Sequence, residues 1–185
     1  GVGRSQVATA LSGAGLVVTP DVDGADAHAR VIAEALKPED ERALRDRSVP
    51  AVVVLNKADL AGADPGGPLA GAERAAARLA AERGLPVVPM VASLADVALG
   101  DEDMAALRAL ARCAADMTST DAFVAAPHDV PGAVRSRLLV MLDRFGLAHA
   151  ILAVAEGAAA GPVAQRLREL SHLDRVLDRL TAAAA

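Results

Sequence analysis

The feature that most limits what this chain can fold into is the uninterrupted apolar run Val49-Pro50-Ala51-Val52-Val53-Val54-Leu55. A strand with one wet face alternates apolar and polar residues. A strand apolar at every position must be covered on both faces, as in a parallel sheet flanked by helices. This run therefore predicts an α/β architecture, with the strand inside the sheet.

The surrounding sequence supplies helices and further strands in alternation. Ser5 to Ser12 reads as a helix ending at Gly13 and Gly15. Leu16-Val17-Val18-Thr19 reads as a short strand stopped by Pro20 and Asp21, and Ala29 to Glu34 as another strand. Pro38 fits a helix start, followed by Glu39, Asp40 and Glu41 near the positive helix end. A helix over 69–83 ends at Gly84, a strand follows over 85–92, and an acidic-fronted helix over 101–115. Residues 117–131 form a polar, Pro-containing connector. Beyond it lie a helix over 133–145, an apolar stretch over 147–154, a Gly/Ala loop and a last helix over 162–180. The expected organisation is an α/β domain over 1–117 and a smaller α-rich extension over 118–185.

Composition narrows the partners. Of 185 residues 53% are hydrophobic, yet Phe123 and Phe145 are the only aromatics, so Ala, Val and Leu must fill the core. A net charge of −5 argues against a general nucleic-acid binder, and base-stacking platforms are missing. Cys113 is alone, which rules out an internal disulfide and suits a reducing, cytoplasmic setting. No run approaches the roughly 18 consecutive apolar residues of a membrane span. The opening Gly1-Val2-Gly3-Arg4-Ser5 is unlike a signal peptide and lacks an initiator Met, so natural sequence is expected upstream.

Directly after the buried run stands Asn56-Lys57-Ala58-Asp59. A carboxylate at Asp59 can accept from the ring N–H and the exocyclic amine of guanine. Adenine offers no such donor pair and would strand the carboxylate, a discrimination on the order of 10⁴–10⁵ in good cases. Lys57 is one of two lysines among 19 basic residues in a chain that otherwise uses Arg. The alternative is a solvated turn after a buried strand. VVVLNKADL resembles the NKxD element of the P-loop GTPase superfamily, of the small G-domain, Era-like or dynamin-like kind. That resemblance implies a P-loop NTPase-like three-layer sandwich with a mostly parallel sheet, and GTP or GDP with Mg²⁺ as cofactors. It implies that Asn56 touches the base edge and ties neighbouring loops, and that the stem of Lys57 lies across the base.

The other elements of that superfamily match in part. Met90-Val91-Ala92-Ser93 resembles the strand and loop whose backbone N–H, here at Ala92, binds the guanine carbonyl, although the order is Ala-Ser rather than Ser-Ala. Gly3, Arg4 and Ser5 before a helix resemble the end of a phosphate loop, with Ser5 as Mg²⁺ ligand and Arg4 where the family has Lys. Arg keeps the charge but is longer and forked. Asp21-Val22-Asp23-Gly24 fits DxxG, with Asp21 reaching Mg²⁺ through water and the Gly24 N–H facing the γ-phosphate. Only about sixteen residues separate Ser5 from Asp21, too few for a helix, an effector loop and the usual strand pair. Ala25 stands where hydrolytic relatives place a water-positioning residue.

The expected function is guanine-nucleotide binding with GTP hydrolysis weak, partner-dependent or lost. The rival is a non-enzymatic pseudo-GTPase scaffold. Val163, Leu167, Leu170, Leu173, Leu177 and Leu180 form an amphipathic stripe that docks on the chain itself, or on a protein partner or a second copy. The four histidines lack metal-ligand spacing, and Asp174 and Asp178 with Arg175 and Arg179 read as a solvated face.

Overall fold

A computed structural model describes residues 2–21, 24–45, 48–62 and 65–185. In chain order the elements are α1 (Arg4–Gly13), β1 (His28–Ile32), α2 (Pro38–Ala43), β2 (Ala51–Asn56), α3 (Gly67–Arg83), β3 (Val87–Met90), α4 (Asp101–Arg112), α5 (Thr120–Ala125), α6 (Gly132–Ala155), α7 (Ala160–Ser171) and α8 (Leu173–Ala184). Two compact units result, Gly1–Ala92 with Ser171–Ala185, and Ser93–Leu170. The expected boundary at 117 falls inside the second of these, and α8, expected in the extension, belongs to the first.

The first unit is α/β, with an open sheet of three parallel strands in the order β1-β2-β3. Ile32 lies opposite Leu55, and Asn56 opposite Met90, so the strands end close together. Val52, Val53 and Val54 are fully buried, as the apolar run requires of a central strand. Val53 and Leu55 pack with Ile32, Leu44 and Ala76 on the face that carries α3. Alternation along the strand turns Val52 and Val54 to the other face, where α8 lies on β2 and β3 with α1 beside it. Each such side chain contributes roughly 1.5–3 kcal/mol on burial.

Local chemistry sets the helix ends. Pro38 opens α2, and Asp40 turns back to accept the Lys37 N–H at 2.9 Å. Gly84 closes α3 in a left-handed conformation, its N–H donating to Ala80 O at 2.9 Å.

Three expectations are corrected. Leu16–Thr19 forms no strand, and Val17 is 98% exposed. β-propensity alone cannot hold a strand, which needs a neighbour to accept its backbone bonds, and none pairs with this segment among the described residues. The 117–131 connector contains α5, capped by Ser119, whose hydroxyl accepts from the Ala122 N–H at 3.0 Å, and pinned by buried Phe123. The last helix is two helices, α7 and α8, broken at His172 with φ 58°.

The second unit is helical. Arg137 of α6 reaches Glu102 and Asp103 of α4, each at 2.8 Å. Arg135 is buried and donates to Phe123 O and to Ala126 O (2.7 Å), a cation at the carbonyl end of α5. By length and composition α6 is long and apolar enough to cross a membrane. It is also interrupted at Asp143 (φ 55°, ψ 178°) and buries Leu138, Leu142, Leu147 and Ala150.

Candidate functional site

Three segments distant in sequence meet at the end of β2, and one side chain joins them. Asn56 is 2% exposed, so both ends of its amide need partners. Its Oδ1 accepts the Ala92 N–H at 3.0 Å, just beyond β3, and its Nδ2 donates to the Val2 carbonyl at 3.0 Å, just before α1. Gly3 is required beside it. At φ 79° it occupies the left-handed region, and a Cβ there would lie 2.4 Å from Asn56 Nδ2.

The tether brings the start of α1 to the carboxyl end of the sheet, where open α/β sheets take their ligands. The N-cap of α1 is Gly3, which has no side chain to offer, and the first turn holds no acidic residue. Its N–H groups therefore keep their capacity for an anion, and Arg4 adds a full positive charge. Arg4 and Ser5 are exposed there.

After Asn56 the chain turns sharply. Lys57 is left-handed (φ 62°, ψ 38°), a conformation costing a non-glycine residue roughly 1–2 kcal/mol. Strain of this kind collects at binding sites. It starts a 3₁₀ turn over Ala58–Leu60, with the Leu60 N–H donating to Lys57 O at 2.9 Å. Ala58 is buried and anchors the turn, while Asp59 is half-buried and Lys57 is exposed.

Of the residues singled out from the sequence, Gly3, Asn56, Lys57, Asp59 and Ala92 are thus gathered at one rim, with Arg4 and Ser5 on the adjoining helix end. Asp21 is exposed, its N–H donating to Thr19 Oγ1 at 3.1 Å. Gly24 is left-handed at φ 81°. Val22 and Asp23 between them lie outside the described residues, as does Gly1. Among the described residues no hydrogen bond or ion pair joins Asp21 to Ser5 or Arg4, and no three His, Cys, Asp or Glu side chains gather to hold a metal.

One charged group near this rim escaped sequence reasoning. Asp40 is 4% exposed, and Arg30 Nε donates to it at 2.7 Å. Burial pushes its carboxyl up, but the Lys37 N–H, the Arg30 guanidinium and the charge of Arg4 together hold it below the ordinary range. In sequence Asp40 is only an acid in a helix's first turn, and nothing there announces partners from β1 and α1.

No family model, curated protein or solved structure matches the chain.

Proposed function

We propose that this rim binds a guanine nucleotide, and that the protein is of the P-loop GTPase type with the corresponding three-layer sandwich. Hydrolysis is weak, partner-dependent or lost. The observation that carries the reading is Asn56, which ties the start of α1 and the Ala92 N–H to the strand end that carries Lys57 and Asp59. A chance NKAD on a solvated turn has no use for a buried amide holding two remote loops.

In this reading the Asp59 carboxylate accepts the two donors of guanine, and Ala92 with Ser93 borders the base. The Lys57 stem covers it. The N–H groups at the start of α1 and the charge of Arg4 receive the phosphates. Ser5, and Asp21 through water, would hold Mg²⁺, which would supply charge neutralisation for the phosphates. Turnover is slow because Ala25 cannot orient a water and Arg4 stands in place of Lys.

Calorimetric titration with GDP, GTP and ATP, with and without Mg²⁺, tests this. GDP and GTP should bind at least about a hundredfold more tightly than ATP. Absence of guanine-nucleotide binding ends the proposal. Asp59→Asn should transfer preference to xanthine nucleotides, whose exocyclic oxygen matches the new amide.

The scaffold reading gains from Asp21, whose side chain is exposed and meets neither Ser5 nor Arg4 among the described residues. It predicts no nucleotide affinity, and a partner bound equally well by wild type and Asp59→Asn.

A further inference from the structure

The free edge of β3 is closed by a helix joint. The Val53 N–H bonds to Pro86 O, so Pro86 and Val88 turn their backbone groups toward β2. Residues 87, 89 and 91 therefore turn theirs outward, and Pro89, with no N–H to give, fits an edge strand there. The outward groups are answered by two consecutive residues between α7 and α8. Ser171 O accepts the Val91 N–H at 3.0 Å, and His172 Nδ1 lies 3.1 Å from Pro89 O. Because that partner is a carbonyl, Nδ1 carries the hydrogen and donates.

His172 can do this because it is left-handed (φ 58°, ψ 21°), which breaks the helix and turns Ser171 O and the ring to the same strand edge. Its surroundings hold it there. Glu73 Oε1 of α3 is 3.7 Å from Nδ1, Arg175 pairs with both oxygens of Glu73, and the Ser171 hydroxyl caps α8 through the Leu173 N–H at 3.1 Å.

We propose that His172 is a positioning residue for the nucleotide site, its ring holding Pro89 while the turn it makes aims Ser171 O at Val91, so that Ala92 presents its N–H to Asn56. This rests on the guanine-nucleotide reading. Ala92 is the next residue after the held pair, and its N–H is the group Asn56 holds. The chain leaves the first unit after Ala92 and returns at Ser171. The two passages are thus bonded to each other beside the site, and a displacement of either is felt at Ala92.

Two variants of the full chain separate the ring from the backbone. His172→Gly keeps the left-handed turn without strain and deletes the ring. His172→Asn also tolerates that turn and keeps an N–H donor. Amide hydrogen exchange should quicken at Val91 and Ala92 roughly tenfold in His172→Gly, with Val53 and Val54 unchanged. GDP affinity should fall roughly three- to tenfold, and His172→Asn should recover most of both. Unchanged exchange at Val91 and Ala92, an equal rise across β2, or local quickening with full GDP affinity would each overturn the proposal. If the unmodified protein binds no GDP, the nucleotide reading fails, while the exchange data still decide whether His172 holds Ala92.

Discussion

The two ends of the candidate site are built differently. At the end proposed for the base Asn56 is buried, both halves of its amide are bonded, Ala58 anchors a turn, and Lys57 holds a strained conformation. At the end proposed for the phosphates Arg4, Ser5 and Asp21 are exposed, and among the described residues Asp21 bonds to its near neighbour Thr19 through its own N–H. A polar group inside the fold has a fixed position because leaving it unpaired costs free energy. An exposed one is placed by whatever it binds. In the proposed reading the end that would take the base is therefore preformed, and the exposed end that would take phosphates is organised by what it binds.

Substitution at each end should separate the two behaviours. Asn56→Ala strands the buried Ala92 N–H and the Val2 carbonyl together. It should cost about 3 kcal/mol in urea unfolding and remove guanine-nucleotide binding. Gly3→Ala forces a Cβ into Asn56 and a poor φ, and should cost about 2 kcal/mol by the same measurement. Arg4→Ala should change stability by less than about 0.5 kcal/mol, yet weaken GDP roughly tenfold while leaving guanosine untouched. If Arg4→Ala unfolds the protein, or Asn56→Ala is neutral, the contrast between the ends is wrong.

The smallest effect is on acid stability. Asp40 and Glu73 titrate below their ordinary values when folded, Asp40 as described above and Glu73 chiefly through its bond to Arg175. The unfolded chain takes up these protons first, so the stabilisation is complete above about pH 5 and fades as pH falls through the folded values. His172 and His149 are also held low, mainly by burial, with Arg175 and Arg166 adding to it. An imidazole that resists protonation when folded favours unfolding once pH drops below about 6.5. Thermal melts should thus shift downward from pH 7 to 5, and again below 4. Glu73→Gln should blunt the lower step.

What could be read without coordinates followed from local rules. The all-apolar run announced β2 as a buried central strand, Pro38 and Gly84 marked helix ends, and Asn56-Lys57-Ala58-Asp59 after a buried strand marked the candidate rim. Leu16–Thr19 misled because its β-branched residues satisfy propensity while strand formation depends on a partner elsewhere. The stripe from Val163 to Leu180 is apolar throughout, but its period hides the break, since His172 turns left-handed to serve β3 rather than its own helix.

The sequence by itself determined the class of fold and the residue types at the rim, because burial patterns and end signals act over a few neighbouring positions. The motif resemblance implied that Asn56 ties neighbouring loops, but tertiary structure decided that its partners are the Val2 carbonyl and the Ala92 N–H, that Asp40 would sit with Arg30 and Arg4, and that Ser171 and His172 would close the sheet edge. Each of these joins backbone or charge across distant stretches of chain. The partner is chosen by which polar groups the packed core leaves in need of one, and no local pattern records that.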